Sequence, residues 1–499
     1  MKNANFLLIL LLLFCFSCQQ EKSNQKYTAS LSEIGAFKER KTETESFKYE
    51  EEKQIYHLKA SDKEDLRLLW TPLIGDFILD VQLPETKGAG SYGLMLCSEL
   101  ETKVPIAALQ IAEDKLTFMT AAQVNMGNAI EKEVRYIRFE RKDKQIIAYY
   151  AEEGERFKPV ASQRIEESTP VFGGLFARRT TQDLEFKNLM LVHPKQENSP
   201  PKDMLSRVEI YDFEEQTRRT ILEKKQKIEA PNWHANEGYL VVNSEGSLYK
   251  IDLKNTNDWT KINTGNLNRC TSNHGIIDTN RLIFTHQDSI GARMYSLNLK
   301  GHDSPERLST KAATFWQDHI KKEAALLYTA TRQGRKAINI YRRPMENDKE
   351  VRLTKNRGMD FSADYSEVND MIYLCSTRSG DMKIWQTSIV GLQRKQLTFD
   401  EYQDWSPTVS PDGKKLLFVS YLPEMERTEN NQIQQILLRS LDLSKENARP
   451  KVIFHFYGDQ SAISNFSCSP DGTQLAFVSY TFPTEKLAQE VKKEESRGI

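Results

Sequence analysis

Side chains that could do acid/base chemistry recur at one kind of position in the second half of the chain. Asn273 and His274 interrupt the apolar run from Cys270 to Ile277, where neither has an obvious packing role. An imidazole beside a carboxylate can exchange protons near neutral pH. His274, Asp318 and Asp360 are therefore the candidate catalytic residues, provided that the fold brings them together.

The same positions also mix tryptophans with polar groups, a combination that suits polyhydroxylated ligands. Flat rings stack on sugars, while amides and carboxylates bind hydroxyl groups. Each residue also has a structural explanation, because the tryptophans could pack between repeats and the aspartates could cap turns. The predicted ligand-binding residues are Asn273, His274, Trp316, Asp360, Tyr402, Asp404 and Trp405.

Composition narrows the possible functions. The chain has 499 residues, a net charge of −1 and 39% hydrophobic residues, which allows two or three domains with their own cores. Its 69 basic residues are scattered rather than clustered, so we expect no nucleic-acid partner. It contains no CxxC pair, no HExxH, no GxSxG and no glycine-rich phosphate loop. We expect no cofactor and a monomer.

Residues 1–18 are predicted to be a lipoprotein signal peptide. Lys2 precedes an apolar run, Phe6 to Phe16, that is too short to span a bilayer. Ser17-Cys18 then resembles a bacterial lipobox with Cys18 as the lipidated residue, although Cys15 stands where leucine is usual. The alternative is an ordinary cleaved signal. We expect an exported protein held by its lipid at a Gram-negative outer membrane, on the periplasmic face or the cell surface.

Residues 29–195 are predicted to form a β-sandwich, after a tether at 19–28. Short strands such as Val134 to Glu140 alternate with charged or glycine turns, and no long helical period interrupts them. The phrases Leu73 to Phe77, Ile137 to Arg141 and Phe172 to Phe176 resemble a concanavalin-like jelly roll of the kind found beside carbohydrate-active domains. That resemblance implies a possible role in sugar binding.

After a predicted linker at 196–206, the chain repeats with a period of roughly 42–60 residues and four short strands per unit, which indicates a β-propeller. Ser410-Pro411-Asp412-Gly413 and its second copy at 469–472 are tight turns before covered strands. Two strands at Arg207 to Tyr211 and Arg218 to Leu222 are expected to pair with the last half-unit. The prediction is an all-β chain with a six-bladed propeller at 207–483 and a charged tail at 484–499.

The repeat phrases Ala230 to Trp233, Asn273 to Gly275 and Leu397 to Trp405 resemble the TolB-like propellers and the exported propellers related to oligogalacturonate lyases. The lyase resemblance implies a histidine-rich site with a divalent metal such as Mn or Ca. Two corresponding segments, Met359 to Ser362 and Ser406 to Thr408, contain no histidine, so that site is incomplete.

Three functional hypotheses remain open at this point. The leading one is an exported lipoprotein whose propeller binds a glycan or an envelope protein, linked to polysaccharide use. The second is a carbohydrate-active lyase or hydrolase with a degenerate metal site. The third is a TolB-like envelope scaffold that binds a partner peptide in its channel.

Overall fold

In this computed structural model, the regular structure of the described residues is β-strand, apart from a 3-10 turn at Lys321–Glu323. The structure describes residues 32–34, 37–39, 46–61, 66–73, 75–85, 90–98, 105–120, 133–166, 171–192, 204–256, 259–301, 303–332, 337–422, 434–458 and 466–481. The predicted signal peptide with Cys18, the tether, the tail and most of the linker lie outside these residues. Within the described residues, no helix has the length and apolar character to cross a membrane.

The chain divides into two compact units. Unit one comprises Met1–Glu152 and Phe157–His193, and unit two comprises Glu153–Arg156 and Pro194–Ile499. The strands of unit one are β1 (Ser32–Ile34), β2 (Phe37–Glu39), β3 (Phe47–Glu50), β4 (Ile55–Leu58), β5 (Arg67–Leu73), β6 (Phe77–Gln82), β7 (Ser91–Cys97), β8 (Ala107–Ala112), β9 (Lys115–Thr120), β10 (Tyr136–Lys142), β11 (Gln145–Ala151), β12 (Lys158–Arg164), β13 (Val171–Arg178) and β14 (Leu184–Val192).

Unit one consists of two seven-stranded sheets, in the orders β1-β2-β5-β13-β7-β8-β9 and β12-β11-β10-β6-β14-β4-β3. Apolar residues of both sheets share one core: Phe77 and Leu79 of β6 belong to the same buried cluster as Leu94 and Leu96 of β7. Alternate residues of each strand point to one face of its sheet. The apolar residues at alternate positions of these strands therefore form the shared core.

The strands of unit two are β15 (Leu205–Asp212), β16 (Thr217–Lys224), β17 (Ile228–Trp233), β18 (Tyr239–Ser244), β19 (Ser247–Asp252), β20 (Trp259–Lys261), β21 (Cys270–Ile276), β22 (Arg281–Asp288), β23 (Gly291–Asn298), β24 (Glu306–Arg307), β25 (Thr314–Ile320), β26 (Ala325–Ala330), β27 (Asn339–Pro344), β28 (Val351–Arg352), β29 (Asp360–Ser366), β30 (Met371–Ser379), β31 (Asp381–Ser388), β32 (Lys395–Gln396), β33 (Gln403–Val409), β34 (Lys415–Tyr421), β35 (Gln434–Asp442), β36 (Lys451–Gly458), β37 (Phe466–Cys468) and β38 (Gln474–Thr481).

These strands form six antiparallel four-stranded sheets. Sheet 1 has the order β16-β15-β38-β37, and sheets 2 to 6 take four consecutive strands each, from β17–β20 through β33–β36. Sheet 1 is built from the two ends of the unit, because β15 pairs with β38 from Leu205↔Thr481 to Asp212↔Gln474. This is the pairing between the early strands and the last half-unit that the sequence predicts.

The sheets follow one another in a cyclic order. The first strand of each of sheets 2 to 5 contacts the first strand of the next sheet, β33 contacts β37, and β37 contacts β17. Sheet 6 is therefore followed by sheet 1, and sheet 1 by sheet 2. We call β17, β21, β25, β29, β33 and β37 the inner strands, because all six line one cavity.

The Ser-Pro-Asp-Gly turns have the geometry expected from their residues. Gly413 takes a φ of 72° and donates its N–H to the Ser410 carbonyl at 2.8 Å, and Asp412 accepts the N–H of Lys414 at 3.0 Å. In the second copy Gly472 has a φ of 74° and bonds Ser469 at 2.9 Å. Each turn leads into a long covered strand, β34 or β38.

Sheets 3 and 4 are packed tightly where Gly275 of β21 faces the indole of Trp316 in β25. A Cβ atom added to Gly275 would lie 2.1 Å from Cη2 of Trp316, far inside van der Waals contact. Trp316 is buried among Ile283, Met294 and Tyr328 and cannot easily move away. The glycine thus makes room for the tryptophan at this joint.

We predict that Gly275→Ala destabilises the protein by about 1–3 kcal/mol, the usual cost of overpacking a well-packed core. The loss should be much smaller in a Trp316→Leu background, where the clashing ring is absent. Urea unfolding of the two single variants and the double variant measures this coupling. Additive losses would show that the two residues do not constrain each other.

Candidate functional site

A cavity of about 420 Å³ lies between the inner strands of unit two. This volume falls within the range of small-ligand pockets and can also hold a short peptide segment. Every inner strand contributes to its wall: β17 with Asn232 and Trp233, β21 with Asn273 to Ile276, β25 with Trp316 to His319, β29 with Ser362 to Tyr365, β33 with Ser406 to Val409, and β37 with Phe466 to Cys468.

The wall of the cavity combines charged, neutral polar and apolar residues. We define the charged wall as Asp318, His319, Lys321, Asp364 and Glu367, which all come from sheets 4 and 5. Sheets 3, 6 and 1 supply both polar residues, such as His274, Thr408 and Ser467, and apolar ones: Ile276, Ile277, Pro407, Val409, Pro411 and Phe466. An occupant therefore meets charged, neutral polar and apolar groups around one cavity.

Two aspartates of the charged wall also join neighbouring sheets. Oδ2 of Asp318 in sheet 4 accepts the backbone N–H of Tyr365 in sheet 5 at 2.6 Å. In the same way, Oδ2 of Asp364 in sheet 5 accepts the N–H of Val409 in sheet 6 at 2.7 Å. Each carboxylate is therefore fixed in orientation by the next sheet of the ring.

A neutral side chain performs the same task between sheets 1 and 2. The hydroxyl of Ser467 accepts the backbone N–H of Trp233 at 3.2 Å, and the indole N–H of Trp233 donates to the Ser467 carbonyl at 2.8 Å. Three of the joints between consecutive sheets thus use a side-chain oxygen on one inner strand and a backbone N–H on the next.

Burial changes the protonation of the two aspartates. It raises the pKa of Asp318 to about 7, with further repulsion from Glu367, although the N–H groups of Tyr365 and His319 oppose the shift. Burial also raises the pKa of Asp364 well above its ordinary value, and the charge of Asp318 adds to that rise. The pair therefore retains protons at pH values where an exposed aspartate has lost them.

Asn273 and His274, both predicted from the sequence, line the cavity. His274 is only 2% exposed, and its Nε2 lies 3.4 Å from the carbonyl oxygen of Val241. Burial lowers the pKa of His274 to about 4, so the imidazole is neutral at physiological pH. Asn273 bonds locally, since its backbone N–H donates to the Thr271 hydroxyl at 3.2 Å.

Trp316 also lines the cavity but offers little ring surface to a ligand. Its side chain is 8% exposed and packs in the core shared by sheets 3 and 4. Packing between repeats therefore accounts for most of the surface of Trp316.

Asp360 lies outside the cavity wall, contrary to the expectation that it would share a site with His274. It is completely buried, accepts the Ser376 hydroxyl at 2.5 Å and pairs with the Arg378 guanidinium at 2.9 Å. Its position at the start of β29 directs it into this ion pair within sheet 5. The predicted catalytic residues His274, Asp318 and Asp360 therefore do not meet in one place.

Asp404 and Tyr402 belong to a second buried network rather than to the cavity wall. Arg439, 2% exposed, pairs with Asp400 and with Asp404 at 3.3 Å, and its guanidinium lies 4.7 Å from the Tyr402 ring centre. Burial and repulsion by Asp400 raise the pKa of Asp404 to about 6, against the attraction of Arg439. The amine of Lys383 donates to the carbonyls of Asp400 and Tyr402.

Trp405, the last of the predicted ligand-binding residues, packs between sheets 5 and 6. Its indole contacts the Phe361 ring edge-to-face, with ring centres 6.4 Å apart. It is half-buried and lies outside the cavity wall. The cavity thus brings together Asn273, His274, Trp316 and Asp318, while Asp360, Tyr402, Asp404 and Trp405 stabilise the sheets around it.

The metal that the lyase resemblance implies does not fit the residues of this site. Across the described ranges, no group of three or more His, Cys, Asp or Glu side chains is arranged to hold a metal ion. His274 turns its Nε2 toward the carbonyl of Val241, and Asp318 and Asp364 are bonded to backbone N–H groups.

Asp364 lines the cavity but is not among the residues that the sequence predicts to bind a ligand. It lies four residues after Asp360 on β29, and the register of β29 against β30 shifts between Phe361 and Asp364. At this bulge Ser362 takes a φ of 47°. The available signal was the common spacing of Trp316 to Asp318 and Ser362 to Asp364, which places both aspartates at the same point of their repeats.

Comparison with known proteins gives one curated relative of similar length to unit two. It is an uncharacterized protein of Agrobacterium fabrum, 28% identical over 297 residues, which cover 59% of this chain and 98% of the relative. No protein-family model matches the chain.

Among solved structures, a provisionally assigned TolB from Agrobacterium tumefaciens has a TM-score of 0.51 and 27% identity, covering 56% of this chain and 99% of its own. TolB from Acinetobacter baumannii has a TM-score of 0.38 and 18% identity, covering 56% and 64%. An oligogalacturonate lyase in complex with manganese has a TM-score of 0.36 and 13% identity, covering 55% and 72%. The structural neighbours are thus TolB-like and oligogalacturonate lyase propellers.

We predict that Asp318→Asn becomes more stable relative to the wild type as the pH rises from about 5 to about 8. The folded-state pKa of Asp318 is near 7, against roughly 4 in an unfolded chain. The native state therefore binds more protons between those values, and the stability that Asp318 contributes is lost as the pH rises through them. Asparagine keeps an oxygen for the Tyr365 N–H but cannot ionise.

Urea unfolding at several pH values measures this difference, and Asp412→Asn is the matched control. The pKa of Asp412 is lowered by the Ser410 hydroxyl and the Lys414 N–H, so the contribution of Asp412 to stability is complete above roughly pH 4. The difference in unfolding free energy between Asp412→Asn and the wild type should therefore stay constant. If the difference in unfolding free energy between Asp318→Asn and the wild type also stayed constant with pH, the prediction would be contradicted.

Proposed function

We propose that residues 207–483 form a six-bladed, TolB-like β-propeller that binds a polypeptide segment of an envelope protein in its central cavity. Six four-stranded sheets in cyclic order and the similarity to the Agrobacterium tumefaciens TolB structure support this assignment. In the same proposal, residues 29–195 are a concanavalin-like β-sandwich and residues 196–206 are a linker. The two seven-stranded sheets of unit one, which share one core, support the assignment of the sandwich.

The observation that carries the binding proposal is the composition of the cavity wall. The charged wall lies beside apolar residues such as Ile276 and Val409 and neutral polar residues such as Thr408. A polypeptide segment suits such a mixed wall, since its side chains offer charged, polar and apolar groups. Its backbone also supplies donors and acceptors to the polar groups of the wall.

A sugar ligand fits this wall less well. Of the tryptophans predicted to bind a ligand, Trp316 is 8% exposed and Trp405 lies outside the wall, while the indole N–H of the wall residue Trp233 is already bonded to the Ser467 carbonyl. Catalysis is supported less still, because Asp360 is paired with Arg378 away from the cavity and His274 is almost fully buried, with its Nε2 directed at the Val241 carbonyl. Glycan binding and turnover are therefore the alternatives that the following experiments distinguish from peptide binding.

Panning a random peptide display library on the full chain, followed by calorimetry of the selected peptides, tests the proposal. Thr408 lines the cavity, so Thr408→Trp should fill part of it and weaken peptide binding at least tenfold. Val390 is 59% exposed and lies outside the cavity wall, and Val390→Trp should leave the affinity within about twofold. Equal binding by both variants would place the peptide site elsewhere.

A parallel arm uses uronate-containing oligosaccharides with and without Mn²⁺ or Ca²⁺. Product formation would favour the enzyme hypothesis over the proposed function. Sugar binding without turnover, together with failure to select any peptide, would favour a glycan-binding module.

We further propose that the protein is exported and held at the outer membrane by a lipid on Cys18. The support is the sequence pattern of an apolar run followed by Ser17-Cys18. Cys18→Ser should abolish metabolic labelling with palmitate and move the protein from the membrane fraction to the soluble fraction. Cys15→Ser, which changes a cysteine within the signal, should remain labelled; labelled Cys18→Ser protein would contradict the proposal.

A further inference from the structure

Bulky apolar side chains are exposed on unit two at a turn of sheet 5 that lies against sheet 4. Val390 and Leu392, between β31 and β32, are 59% and 60% exposed, and Val351 of β28 is 48% exposed. The carbonyl of Leu353, two residues after Val351, lies against Gly391, because a Cβ atom added to that glycine would be 2.1 Å from the carbonyl oxygen. The three exposed side chains therefore belong to one region of the surface.

Hydrogen bonds and packing fix the shape of this turn. The N–H of Gly391 donates to the Ser388 carbonyl at 2.8 Å, and the N–H of Leu392 donates to the Ser388 hydroxyl at 3.1 Å. The Leu392 carbonyl accepts the N–H of Ser388 and the hydroxyl of Thr387, each at 2.8 Å. Ile389 packs into the core shared by sheets 4 and 5. The turn therefore holds its exposed apolar side chains outward on a bonded backbone.

Three cationic side chains lie beside this apolar region. Arg394 and Lys395 follow the turn directly, Lys355 follows β28, and all three are exposed. None of the three forms an ion pair with another residue in the part of the chain that the structure describes, whereas Glu350, which precedes β28, is already paired with two other cations. We call this region the apolar–basic surface and define it as Val351, Lys355, Val390, Leu392, Arg394 and Lys395.

Two other exposed apolar side chains of unit two have a different setting. Ile290, 71% exposed, follows Asp288 by two residues, and Val368, 64% exposed, lies between Glu367 and Asp370 in the sequence. Single exposed apolar residues are normal in soluble proteins, whereas a group of them beside unpaired charges of one sign indicates an interaction site. The apolar–basic surface is therefore distinguished by the combination of its side chains.

A bilayer with anionic lipids matches both kinds of side chain. Lysine and arginine are attracted to the phosphate groups of the lipids, and aliphatic side chains enter the layer just below those groups. Val390 and Leu392 project from a turn, so they fit a deformable surface without needing a pocket of matching shape. The sequence Ser17-Cys18 independently predicts a lipid that holds the chain at a membrane. Charge complementarity and the expected location therefore favour the same partner.

We propose that the apolar–basic surface docks unit two onto a membrane surface rich in anionic phospholipids. Val390 and Leu392 enter the interface, while Lys355, Arg394 and Lys395 bind the lipid phosphates. This inference goes beyond the proposed binding of a peptide in the cavity and does not require it. None of the six residues lines the cavity wall, so membrane docking and peptide binding use different surfaces.

Photo-cross-linking of the full chain, reconstituted with radiolabelled lipid vesicles, tests the proposal. Leu392 is replaced by the photoreactive amino acid p-benzoylphenylalanine, and the same replacement of the more exposed Ile290 is the control. We expect roughly tenfold more lipid adduct from position 392 with phosphatidylglycerol than with phosphatidylcholine, and a loss of this excess at high salt, which screens the attraction. Equal yields from positions 392 and 290 with phosphatidylglycerol would overturn the proposal.

A pair of charge variants separates the local surface from net charge. Arg394→Gln/Lys395→Gln should reduce the adduct from position 392 on phosphatidylglycerol roughly tenfold, because two cations near the lipid phosphates are lost. Lys414→Gln/Lys415→Gln, in the turn before β34, removes the same charge elsewhere and should leave the adduct within about twofold. All four side chains are exposed, so both variants should fold. Equal reductions by the two variants would contradict the proposal.

Cross-linking in cells distinguishes the membrane from an acidic protein partner. Lipid adducts from position 392 would support membrane docking, while adducts to another protein without any lipid adduct would overturn it. Palmitate labelling of Cys18 is measured separately. A labelled chain without lipid adducts at position 392 would retain the lipid anchor and contradict the docking surface, and lipid adducts from an unlabelled chain would do the reverse. Peptide selection on the cavity does not depend on either result.

Discussion

The pairing of β15 with β38 is the interaction on which the cyclic order of unit two depends. Eight residue pairs, from Leu205↔Thr481 to Asp212↔Gln474, join strands that are separated by almost the whole unit. Without this ladder, sheet 1 would be two separate hairpins, and the open edges of β15 and β38 would be exposed to pairing with other chains. The positions of all six inner strands around the cavity follow from this one closure.

The side chains at the cavity wall serve the same closure on a smaller scale. Asp318, Asp364 and Ser467 each connect one inner strand to the backbone of the next. The groups that would meet a ligand are therefore also parts of the framework, which keeps them rigid and correctly placed. Rigid placement lowers the ordering cost of binding, because little conformational freedom remains to be lost.

The sequence predicts the architecture better than the site. Hairpins are specified locally by turn residues such as Pro411 and Gly413 and by the covered strands that follow them. The half-repeats at the two ends of unit two predict that these ends pair with each other. The site depends on which side of an inner strand faces the cavity. That choice changes at bulges where Ala230, Ser362 and Ser406 take φ angles of 52°, 47° and 53°. Because none of these residues is glycine, no composition signal reveals the change, and the sequence favours Asp360 where Asp364 lines the wall.

The location of the closure has a mechanical consequence. Leu205 and Thr481 are paired neighbours at one end of the β15–β38 ladder, so tension applied through the two ends of the unit would load that pair first. The hydrogen bonds would then break one after another, as in a zipper, rather than all together as in shear. Pulling from both ends should therefore open sheet 1 at low force while the other five sheets are still intact.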